Sequence, residues 1–168
     1  MKAMLGIWMI CLVWIAGAPG VMAQPTAPLD DADALKGVTV GKVVFDIGKA
    51  DPQTLPIYLK VIAQTHADLE RQKVKPDMVL AFRGGAVKLV SGNREALPIE
   101  QHPFLEEIAA LIADLAKKPG VRMEVCGVAT KLLGVDNATI LPGIKVVGNT
   151  FVSLTGYQAQ GYAAIPIL

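Results

Sequence analysis

Between Val38 and Ile165, short runs of β-branched and apolar residues alternate with longer stretches whose apolar side chains return every three to four positions. This alternation constrains the fold more than any other feature, because strands separated by helix-length segments read as βαβ units. Parallel strands joined this way need right-handed crossovers. The pattern therefore predicts a flavodoxin-like, three-layer α/β fold with a mostly parallel sheet of about five strands, covered on both faces.

The first predicted strand is Val38–Phe45, ended by Asp46-Ile47-Gly48-Lys49. Asp51-Pro52 marks a helix start, and Leu55, Leu59, Ile62, His66 and Leu69 form one stripe along the helix that follows. Lys75-Pro76 stops it. Asp77–Phe82 is a second strand broken by Arg83-Gly84-Gly85, Ala86–Val90 a short apolar stretch, and Ser91–Gln101 a polar loop. Pro103 opens a helix carrying Phe104, Ile108, Leu111, Ile112 and Leu115, closed by Lys117-Lys118-Pro119-Gly120. A strand at Val121–Cys126, a short helix at Gly127–Leu133 and a turn at Asn137–Leu141 follow. Ile144–Val147 is the fourth strand, Thr150–Gln160 a helix and Tyr162–Ile165 the last strand. Arg122 and Glu124 alternate with Val121, Met123 and Val125, whereas a fully covered strand is apolar throughout. That strand is expected to be partly exposed or to be matched by another subunit.

Upstream, Lys2 precedes the apolar run Met4–Val13, then Ala16-Gly17-Ala18-Pro19-Gly20 and the small-residue site Val21-Met22-Ala23. This is the layout of a secretory leader, residues 1–23. Its apolar run is shorter than the roughly 20 residues that span a bilayer. The expectation is export to the periplasm, with no membrane association once the leader is cleaved. Residues 24–36, rich in Pro, Ala and Asp, read as a flexible N-terminal arm, and 37–168 as one domain.

Removing 23 of the 168 residues leaves 145, and losing Lys2 brings the 16 basic residues to 15, equal to the 15 acidic ones. Cys11, Trp8 and Trp14 leave with the leader, so Cys126 is the one cysteine of the mature chain. A neutral surface with few aromatics offers neither the cationic stripe nor the stacking platform of a nucleic-acid binder. One cysteine excludes an intramolecular disulfide framework.

Ligands of open parallel sheets gather at the carboxyl ends of the strands, and three polar residues fall there: Asp46, Arg83 and Cys126. Cys126 ends its strand and Gly127 opens the next helix. Unsatisfied backbone N–H groups and the positive end of the dipole favour thiolate over thiol at such a place. The opposing reading is a small, buried, inert thiol. His66 lies on an apolar stripe and reads as a core-edge histidine; His102 reads as a loop residue near a helix start. Two histidines and one cysteine at these separations make no metal site. Gly48-Lys49 lacks the upstream glycine of a phosphate loop, and Asp46–Asp51 lacks a flavin phosphate cradle. No cofactor is expected.

The stretch Gly120-Val121-Arg122-Met123-Glu124-Val125-Cys126-Gly127-Val128-Ala129, with Gly134-Val135 and Leu141-Pro142-Gly143-Ile144-Lys145-Val146-Val147, resembles the DsrE/DsrF-like sulfur-relay family. So do Arg83-Gly84-Gly85-Ala86-Val87-Lys88-Leu89-Val90 and the ending Leu154–Ile165. The resemblance implies a flavodoxin-like fold, small homo- or hetero-oligomers and, in cytoplasmic members, a cysteine that carries sulfur as a persulfide. Cys126 matches that cysteine. Relatives often carry a histidine where this sequence has Arg83, a cation that favours a thiolate or persulfide anion.

Two functions follow. In the first, an exported sulfur carrier or sulfurtransferase holds sulfane sulfur on Cys126, with Arg83 stabilising the thiolate and Asp46 as a third candidate. Its partners are sulfur donor and acceptor proteins or small sulfane-sulfur compounds, and it is a homo-oligomer. In the second, the protein is a non-catalytic exported binding or assembly module in which Cys126 is structural.

Overall fold

The computed structural model describes residues 29–168 apart from Ala96, so the expected leader lies outside the described residues. Strand β1 (Val40–Ile47) leads through α1 (Leu55–Arg71) to β2 (Lys75–Phe82). A single helical turn, α2 (Ala86–Leu89), and then α3 (His102–Leu115) connect to β3 (Val121–Cys126). After α4 (Gly127–Leu132) comes β4 (Ile144–Val147), and α5 (Thr150–Ala159) returns the chain to β5 (Ala163–Ile167). The five strands form one sheet, all pairs parallel, in the order β4-β3-β2-β1-β5. The expected α/β class and the parallel sheet of five strands are both present.

Three strands extend beyond the span that their composition suggests, and β2 does so at its start, where Lys75 and Pro76 pair with Val40 and Gly41 of β1. β1 continues through Asp46 and Ile47 because β2 supplies partners as far as the pair Ile47 and Phe82. β5 continues through Pro166, which an edge strand tolerates since its missing N–H has an unpaired side to face.

Alternation along the strands divides the core. Phe45 and Ile47 of β1, Leu80 and Phe82 of β2, and Val125 of β3 pack against Leu59 and Ile62 of α1 and Ile108 and Ile112 of α3. Burying each such side chain contributes about 1.5 to 3 kcal/mol before conformational entropy is subtracted. Val44, Val79 and Ala81 face the other way, onto Leu154 and Tyr157 of α5 and onto Tyr162.

The two faces are unequally covered, contrary to the expectation of full cover on both. Successive strands from β1 to β4 step in one direction, so crossovers of one hand leave α1 and α3 on the same face; only the return from β4 to β5 brings a helix to the other. That asymmetry accounts for the charges in β3. Arg122 Nη2 donates to Asp77 Oδ1 at 2.7 Å and to Tyr162 Oη at 2.6 Å, while Tyr162 donates to Asp77 Oδ2 at 2.7 Å. Tyr157 Oη donates to Glu124 Oε1 at 2.6 Å, and burial together with this carboxylate pushes the Tyr157 phenol up to about 12. Within one chain this strand is thus partly exposed, the Arg122 side chain at 51%.

Both histidines hold structure. His66 is 1% exposed, and its Nε2–H donates to the Pro119 carbonyl at 2.9 Å, tying α1 to the turn before β3. His102 Nε2 lies 3.1 Å from the Arg94 carbonyl and closes the polar loop onto the start of α3. Of the arm, Leu29 and Asp31 meet the end of α1: the Leu29 carbonyl accepts from Arg71 and the Asp31 N–H donates to Gln72.

Candidate functional site

Cys126 is the last residue of β3, where its partner across the sheet is Val147 of β4. A Cβ on the following residue, Gly127, would stand 2.8 Å from the Val147 carbonyl oxygen. Glycine there lets α4 start directly against the end of β4, and the Val128 N–H donates to the Gly148 carbonyl at 3.2 Å. One residue later Asn149 caps α5, its side chain accepting from the Phe151 N–H at 2.9 Å. The start of α5 is thereby fixed beside the cysteine.

Cys126 is 5% exposed and lies on the wall of a cavity of about 310 Å³. Arg83 and Gly84 from the end of β2, Val128 and Leu132 from α4, and Thr150 and Phe151 from α5 complete the lining. Thr150 is fully buried, and its hydroxyl makes no hydrogen bond within ordinary geometry to any described residue. It is placed to donate to a sulfur anion. Burial pushes the Cys126 thiol up, but the Thr150 hydroxyl and the backbone N–H groups of Thr150, Ala129 and Val128 outweigh it. The thiol titrates below its ordinary value of 9.0.

Arg83 leaves the end of β2 and grips Asp46 of β1 with two hydrogen bonds, Nε to Oδ1 and Nη2 to Oδ2, the latter at 2.9 Å. Its guanidinium also lies over the Phe151 ring, 5.7 Å from the centroid. The Asp46 hydrogen bonds raise the Arg83 pKa against the effect of burial, and the Cys126 charge adds to the rise. The group is a fixed cation at the cavity wall. Asp46 is absent from that wall and acts by orienting Arg83.

The three residues singled out in the sequence therefore divide into a contact pair, Asp46 with Arg83, and a shared cavity, Arg83 with Cys126. Thr150 and Phe151 went unnoticed. Their sequence signal is the Asn149-Thr150-Phe151 helix start, but only the strand order brings that start back to Cys126. Among the described residues, no group of three or more His, Cys, Asp or Glu side chains is placed to hold a metal ion. No described helix is long and apolar enough to cross a membrane.

A parallel α/β domain with an acidified thiol at the carboxyl edge of its sheet defines the class: a cysteine-centred domain whose thiol has no disulfide partner among the described residues. Residues 42–167 match the DsrE/DsrF-like family, and the chain belongs to it. Among solved structures the chain is similar to a protein of unknown function, MTH1491, from Methanobacterium thermoautotrophicum. The identity is 20%, the TM-score 0.60, and the match covers 76% of this chain and 99% of the other, which shows the shared fold. The ychN protein from E. coli is similar at 16% identity and a TM-score of 0.49, over 76% of this chain and 99% of its own. No curated protein matches the sequence.

Proposed function

We propose that the protein is an exported sulfur carrier of the DsrE/DsrF-like family, in which Cys126 accepts sulfane sulfur as a persulfide and passes it to an acceptor thiol. The observation that carries this reading is the setting of Cys126: buried, yet acidified by the Thr150 hydroxyl and three backbone N–H groups at a cavity wall. A thiolate is the attacking species in exchange at sulfur, and one cysteine suffices for accepting and releasing a sulfur atom. Arg83 adds a cation that favours the anionic persulfide, and Asp46 keeps it in place. The leader-like layout of residues 1–23 supports export to the periplasm, with the leader removed by cleavage. The donor and acceptor are proteins or small sulfane-sulfur compounds, and the carrier works as a homo-oligomer.

The second reading, a binding or assembly module with a structural cysteine, draws on the burial of Cys126 within the main apolar core. Intact mass separates the two. After incubation with polysulfide, the protein without its leader is expected to gain sulfur that dithiothreitol removes, and Cys126→Ser to gain none. Absence of an adduct on the native protein, with Cys126→Ser unchanged in function and lower in stability, would establish the module instead.

A further inference from the structure

We infer that the sulfur compound served by Cys126 is a small organic persulfide or thiol with an apolar body and a carboxylate tail, seated in a groove that runs from Cys126 to Lys88. The inference rests on the carrier reading and names its substrate class.

The cavity beside Cys126 does not end at α4. A second cavity of about 380 Å³ shares Gly84, Ala129 and Leu132 with it and extends along Leu89 and Leu97 to Lys88. The two adjoin along this shared lining, and each has the few-hundred-Å³ size that small ligands occupy. The shared wall is apolar, and Leu132 stays 78% exposed there. At the sulfur end, the fully buried Thr150 hydroxyl makes no hydrogen bond within ordinary geometry to any described residue and lines the cavity beside Cys126, placed to donate to an anionic sulfur held there. At the far end, Lys88 is a cation that makes no ion pair among the described residues. Arg83, by contrast, is already committed to Asp46 in a two-point contact.

These features select the occupant. With 5% exposure, Cys126 is recessed from the contact surface that a folded donor protein would meet, whereas a slender persulfide reaches it through the cavity. An apolar body fits the groove, and a carboxylate complements Lys88. In the transfer step the Cys126 thiolate attacks the outer sulfur of R–S–SH. The new S–S bond forms on Cys126, the donor S–S bond breaks, and R–S⁻ leaves with the electron pair. The proton carried on the transferred sulfur passes to R–S⁻, leaving the Cys126 persulfide as the anion beside Thr150. No net oxidation occurs.

The test uses two persulfides of equal length, mercaptohexanoate persulfide and mercaptohexanol persulfide, with inorganic polysulfide as a donor lacking the body. Lys88→Ala is expected to raise KM for the carboxylate donor by roughly twofold to fivefold, the worth of one partly exposed ion pair. The alcohol and polysulfide should respond equally in both proteins. Equal effects on all donors, or none on any, overturn the inference while Cys126 still loads. Calorimetry on Cys126→Ala with the S-methyl thioether of mercaptohexanoate reads the groove without any sulfur transfer. Binding weakened by Lys88→Ala supports the groove even if no donor loads Cys126, in which case the carrier reading alone fails. Absence of binding, or binding indifferent to Lys88, overturns the groove.

Discussion

Gly120→Ala is expected to destabilise the protein by about 3 kcal/mol or more, against about 1 to 2 kcal/mol for Gly161→Ala. Both glycines hold a positive φ, +77° at Gly120 and +86° at Gly161, so both substitutions meet the same left-handed backbone penalty. They differ in space. A Cβ on Gly161 meets nothing within 4 Å, whereas one on Gly120 would stand 2.2 Å from the Pro76 carbonyl oxygen, a backbone atom that cannot swing aside. The Gly120 carbonyl also accepts from the Met78 N–H at 2.8 Å, the contact that starts the β2–β3 pairing. Relief of the clash must shift β3, and Cys126 sits at the far end of that strand. Urea midpoints at unchanged m-value give the comparison. Equal losses in the two variants would refute the close approach of the two backbones.

Thr150→Val is expected to slow alkylation of Cys126 at neutral pH by roughly threefold to tenfold while leaving the fold as stable as before or slightly more so. The hydroxyl is fully buried and unpartnered while Cys126 is a thiol, so removing it relieves an unsatisfied group. It is also the first of the groups that lower the Cys126 pKa against burial, so its loss moves the thiol up. Linkage adds a second readout. Because the native pKa lies below the unfolded one, the thiolate contributes stability that is complete above the unfolded pKa and lost as pH falls through the native pKa. Between those two values, stability of the native protein should rise with pH more steeply than that of Thr150→Val. Parallel profiles together with unchanged alkylation would remove Thr150 from the site.

Local signals were enough to read the strands, the main helices and the place of Cys126 before a glycine, because hydrophobic period and breakers act over a few residues. Asp46, Arg83 and Cys126 were legible as neighbours at one sheet edge because parallel strands align their carboxyl ends. What stayed hidden depends on order and register. The grip of Arg83 on Asp46 needs β1 and β2 to be adjacent, and the arrival of Thr150 beside Cys126 needs β4 to pair with β3, which sets Val147 opposite Cys126 just before α5 begins. The crossing from β4 to β5 leaves one face with a single helix among the described residues, which explains why Arg122 and Glu124 interrupt β3. Lys88 gave no signal at all. Its meaning comes from the two cavities that adjoin at Gly84, Ala129 and Leu132.

Acidity and access of the Cys126 thiol in the folded protein are both read from the rate of its alkylation by iodoacetamide as a function of pH. The native protein is expected to react without unfolding, with a midpoint below 9.0 and below that of the same chain in urea. A thiol that reacts only on unfolding, or titrates at or above the unfolded value, would make Cys126 a structural residue of the core and not a sulfur carrier.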